Sequence, residues 1–186
     1  MAALVALIAA GAYVSPEERG LAPLVPWKVL QPDETIAAPL VLFWIPSSPD
    51  AMRRSAMLTS DSLTQSSARC VAMRVVRYDD VTRLASLHVD EDLPVAVLTD
   101  REGKLLGTVK SRRGRLSVAE VEELVRNELE GRELQAETLL DEARELATRG
   151  DVDAAQELYG KVYEARCLCP RQAKVAQKAL RKLERR

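Results

Sequence analysis

Histidine is almost missing from this chain: His88 is the only one in 186 residues. That removes most histidine-based metal sites and catalytic triads. Cysteine is scarce as well. Cys70, Cys167 and Cys169 form an odd set, which does not read as a disulfide framework. With His88 they lack the paired spacing of a zinc site, so no metal and no cofactor is expected. Aromatic residues make up 4%, too few for a base-stacking surface. The net charge of −1 supplies no overall field toward nucleic acid, which is not expected as a partner.

What is present suits one compact domain with an appendage. The chain is 47% hydrophobic and 30% charged, long enough to bury a core without disulfide staples. Residues 2–14 are almost wholly apolar. As a helix they would reach roughly 20 Å, short of a bilayer core. Ala10-Gly11-Ala12 resembles a small-residue cleavage site, although no Lys or Arg precedes the run. The segment is expected to be an export signal or anchor, with membrane association through the N-terminus. A periplasmic or otherwise extracytoplasmic location follows; the alternative is a buried helix in a cytoplasmic protein.

Residues 1–20 thus read as apolar segment and linker, 21–130 as an α/β domain, and 131–186 as a helical tail. Pro23, Pro26 and Pro32 predict an irregular stretch. The continuous apolar run ending in Phe43-Trp44-Ile45 predicts a strand buried on both faces. Ser48-Pro49-Asp50 then opens a helix: serine caps, proline fits the first position, aspartate complements the dipole. A break at Thr59-Ser60-Asp61-Ser62 precedes a short second helix. A strand follows from Cys70, a helix from Val81, a strand at Val95-Ala96-Val97-Leu98, and its hairpin partner from Lys104. Ser117 and Glu120 make a capping box for a helix expected to close near Glu130. Three further helical stretches fill the tail, two of them joined at Gly150-Asp151. Glycine there is expected to adopt a positive φ.

Three features together resemble the thioredoxin superfamily over roughly residues 35–130. Phe43-Trp44 leads into a short loop and a capped helix. Leu93-Pro94 stands before a strand where that family places a cis-proline facing the loop. Asp100-Arg101-Glu102-Gly103-Lys104 fits the final hairpin turn. The resemblance implies a three-layer α/β/α domain with a groove for an extended peptide, drawn from Trp44, Ser47, Ser48, Pro49, Asp50, Leu93 and Pro94. Residues 150–161, with Gly150, Ala155 and Tyr159, resemble the centre of a tetratricopeptide repeat. Only one such unit is visible, so it is expected to lean on the α/β domain or on another chain.

The family's helix opens with Cys-x-x-Cys. Here Ser48-Pro49-Asp50-Ala51 occupies that place and both sulfurs are absent. A serine hydroxyl needs an adjacent base to act as a nucleophile, so Ser48 reads as a cap and no catalytic residue is assigned. Cys70 reads as a small core residue, and Cys167 and Cys169 as packing near a helix end. The acidic run Asp90-Glu91-Asp92 reads as a solvated loop, and the basic final helix as a solvated face. The function expected is a redox-inactive, thioredoxin-like module that binds or scaffolds a protein or extended peptide. One alternative is a thiol-dependent oxidoreductase using Cys70 or the Cys167/Cys169 pair. Another is a structural subunit of an envelope complex.

Overall fold

The structure, a computed structural model, describes residues 24–32, 34–89 and 92–184. The apolar N-terminal segment, Asp90 and Glu91 lie outside these residues. Five strands form one mixed sheet in the order β1-β3-β2-β4-β5. They are β1 (Lys28–Val29), β2 (Leu40–Ile45), β3 (Val71–Val75), β4 (Val95–Asp100) and β5 (Leu105–Lys110). β1, β3 and β2 run parallel, whereas β4 and β5 are antiparallel to their neighbours. The short β1 corrects the expectation that the proline-bearing stretch is irregular. Its pairing with β3 is set by tertiary register, Lys28 opposite Arg74, which no local apolar pattern announces.

β2 is buried along its whole length, as its unbroken apolar run requires. Its side chains alternate between two cores. Leu40, Leu42 and Trp44 join Val71, Met73, Ala96 and Leu98 on one face. Val41, Phe43 and Ile45 join Val76, Val95 and Val97 on the other. Leu84 and Leu87, at the end of α3 (Val81–Ser86) and just after it, pack on that second face. The first face carries α2 (Asp61–Ser67) and the long α4 (Val118–Arg149), through Leu63, Val121 and Val125. Gly107 in β5 lets α4 approach closely, since a Cβ there would lie 2.5 Å from Cδ1 of Leu124.

The helix expected to close near Glu130 does not stop there. α4 runs unbroken for 32 residues, about 48 Å, and the expected boundary at 130/131 falls inside it. Gly131 is the residue that reads as a break. The surrounding helix formers carry the helix through it, and a half-buried Arg132–Glu128 ion pair at 2.7 Å spans it. α4 ends at Gly150, whose φ is +87°. There the Asp151 amide donates to the Leu146 carbonyl at 3.0 Å. Asp151 then caps α5 (Val152–Glu164) by accepting from the Ala154 amide. α6 (Pro170–Leu183) completes the tail. Ala143, Ala155 and Tyr159 are buried in the same continuous core as Leu42 and Trp44, so the tail helices share the sheet's core.

Candidate functional site

The loop after β2 and the segment before β4 meet because their strands are neighbours. In the antiparallel register Ile45 stands opposite Val95, so the next step outward sets Pro46 against Pro94. Leu93-Pro94 is a cis peptide bond. Pro94 is buried, and Leu93 packs on the second core. Across from it, Ser47 is exposed and Ser48 half-buried. The Ser48 hydroxyl accepts from the Ala51 amide at 3.1 Å and caps α1 (Pro49–Arg53). Pro49 takes the first helical position, and Asp50 pairs with Arg53 at the surface. The structure therefore brings together Ser47, Ser48, Pro49, Leu93 and Pro94 at one end of the central strands β2 and β4.

Trp44 is not part of that exposed rim. It is 2% exposed, and its ring lies 5.3 Å from that of Trp27 at 58°. Trp27 donates from Nε1 to the Met57 carbonyl at 2.7 Å. The pair thus supports the segment after α1 from beneath: a 3₁₀ turn at Ala56–Leu58, then Ser60. Ser60 caps α2 through the Leu63 amide and donates to Glu122 Oε1 of α4 at 2.6 Å. The segment from Ala56 to Ser60 is consequently held between the sheet and α4.

Sulfur sits at the opposite end of the strands. Cys70 precedes β3 and forms a disulfide with Cys167, their Cα atoms 5.8 Å apart. This corrects the reading of Cys70 and Cys167 as unpaired packing residues. β3 runs parallel to β2, with Val71 beside Leu40 and Val75 beside Trp44. Cys70 is therefore roughly 16 Å along the strands from the end that carries Pro46 and Pro94, at ~3.3 Å per residue. Beside it, Arg69 donates to the Leu168 carbonyl, with Nε at 3.2 Å, and pairs with Glu133 of α4. Arg69 and Cys70 together join the start of β3 to the α5–α6 connection and to α4. No local pattern in the sequence marks such a junction.

Cys169 is free and 1% exposed. Burial pushes its thiol pKa up, and the charge of Glu133 adds to this against Arg69 and Arg132. A thiol so held is a poor nucleophile at neutral pH. Among the described residues no cluster of His, Cys, Asp and Glu could hold a metal ion. Likewise no described helix is long and apolar enough to cross a membrane. His88 is exposed just beyond α3, and Asp92 is exposed just before Leu93. No protein-family model matches the chain and no curated protein matches it, so the chemistry of the site is read from its own geometry.

Proposed function

We propose that the chain is a thioredoxin-like binding module whose groove receives an extended segment of another protein without sulfur chemistry. The observation that carries this reading is the meeting of a serine-capped helix start with a cis-proline across two central strands. The parallel β2-β3 pair followed by the antiparallel β4-β5 hairpin and α4 supports the same family reading. An extended chain laid beside Leu93 would gain main-chain hydrogen bonds, the usual source of affinity in strand addition. Ser47 and the α1 start would form the opposite wall.

The three cysteines lie away from this groove, which speaks against a dithiol mechanism there. The α4–α5 pair closed on Ala155 and Tyr159 is read as a single tetratricopeptide-like unit offering a second contact surface. The disulfide favours an oxidising, extracytoplasmic compartment.

The test uses a permanently unfolded, carboxymethylated polypeptide as probe, with binding read by fluorescence anisotropy. Ser47→Trp, at an exposed position, should plug the groove and weaken binding at least tenfold. Equal binding by the variant would remove the groove from the account. In parallel, the protein should not reduce insulin above the dithiothreitol blank. Turnover that depends on Cys70 or Cys167 would favour the oxidoreductase alternative.

A further inference from the structure

The Cys70–Cys167 disulfide lies in the wall of an open cleft of about 760 Å³. The size suits a small molecule. Ala37, Ala38, Pro39 and Ala72 give it an apolar side, and Arg101 and Arg166 line it as well. Neither guanidinium has a carboxylate partner among the described residues. Arg101 donates to the Ala37 carbonyl at 3.3 Å, and Arg166 lies 5.4 Å from the Tyr163 ring centroid. Glu164 is the one carboxylate on the cleft wall, so the two arginines outweigh it. Both bonded cysteines are half-buried rather than sealed in the core.

We infer that this cleft is a thiolation site at which an anionic low-molecular-weight thiol exchanges with the Cys70–Cys167 disulfide. The thiolate sulfur attacks one sulfur of the pair. A new S–S bond forms, the Cys70–Cys167 bond breaks, and its electron pair leaves on the other cysteine as thiolate, which takes a proton from solvent. A second thiolate of the same class attacks the mixed disulfide. It releases the oxidised small-molecule disulfide and leaves both cysteines reduced. Two electrons pass from two small thiols to one protein disulfide, with no other reactant. The arginines act on the approach of the negatively charged thiol and on the thiolate that leaves. Reduction would cut the covalent tie between β3 and the tail. This inference uses none of the groove residues and stands or falls apart from the binding module.

The experiment compares glutathione (anionic), 2-mercaptoethanol (neutral) and cysteamine (cationic) at equal thiolate concentration on the full chain. Mixed-disulfide formation is followed by intact mass and mapped by peptide analysis. Glutathione should react about tenfold faster than 2-mercaptoethanol, with cysteamine slowest. The spread should collapse at 1 M salt, where the screening length is ~3 Å. The exposed pair Arg101→Ala with Arg166→Ala should bring the three rates together. The adduct should map to Cys70 or Cys167. Equal rates on the unmodified protein, a preference that survives in the double variant, or an adduct confined to Cys169 would each overturn the assignment. The charge series and the salt series need no variant, so a folding defect in the arginine variants leaves the test intact.

Discussion

Cys70 and Cys167 are 97 residues apart in sequence and covalently joined. One stands at the start of a central strand and the other between the last two helices. The bond closes a loop that contains three strands and two long helices, and it ties the tail to the sheet independently of α4. Cross-linking so long a loop restricts the unfolded chain strongly. Cys70→Ser with Cys167→Ser should lower unfolding stability by about 2–4 kcal/mol. Denaturant midpoints of the oxidised parent and the double variant would measure it. Coincident curves would mean that the core alone fixes the tail.

Gly131 lies inside α4, where a Cβ would meet nothing within 4 Å. Gly131→Ala should therefore stabilise the protein by about 0.5–1 kcal/mol, since glycine loses more backbone freedom in a helix than alanine. A thermal or urea midpoint that falls instead would imply that the helix bends or breaks there.

Ala155 is fully buried where α5 meets α4. Its small side chain sets how closely the helices approach. Ala155→Leu should overpack the pair and cost about 1–3 kcal/mol. Equilibrium unfolding checks this, and an unchanged midpoint would show slack between the helices.

Glu34 and Arg74 link the stretch after β1 to β3, with Arg74 Nε donating to Glu34 Oε1 at 2.8 Å. Burial alone would raise the Glu34 pKa. Hydrogen bonds from the Gln31 amide and Arg74, with the Arg74 charge, outweigh it and hold the carboxyl below its usual value. A folded pKa below the unfolded value, about 4.3, gives stability that is present above that value. It is lost as pH falls through the folded pKa. Between about pH 5 and 3 the parent should lose more stability than Glu34→Gln, so their urea midpoints should converge. Parallel curves over that range would show that Glu34 does not contribute through its charge.

The sequence made the central strands readable because β2 is apolar without interruption and β4 follows a proline. The caps Ser48 and Ser117 were readable too: both are short polar side chains at helix starts, and each accepts from a nearby amide. Other features depend on contacts between distant parts of the chain. β1 exists through its pairing with β3, and two residues carry no periodicity. The continuity of α4 through Gly131 depends on its neighbours rather than on glycine's own preference. The Cys70–Cys167 pairing spans most of the fold, and residue spacing does not encode it. Of the residues expected to line a groove, Ser47, Ser48, Pro49, Leu93 and Pro94 come to one end of β2 and β4, whereas Trp44, through its apolar bulk, belongs to the core.

The most direct measurement of the central claim is hydrogen–deuterium exchange of the full chain with and without the unfolded carboxymethylated polypeptide. The account predicts slower amide exchange confined to residues 47–51 and 92–95, on the two sides of the groove. It predicts the same protection when all three cysteines are replaced by serine. Protection centred instead on residues 67–72 and 164–169 around the disulfide, or protection that vanishes with the cysteines, would contradict it.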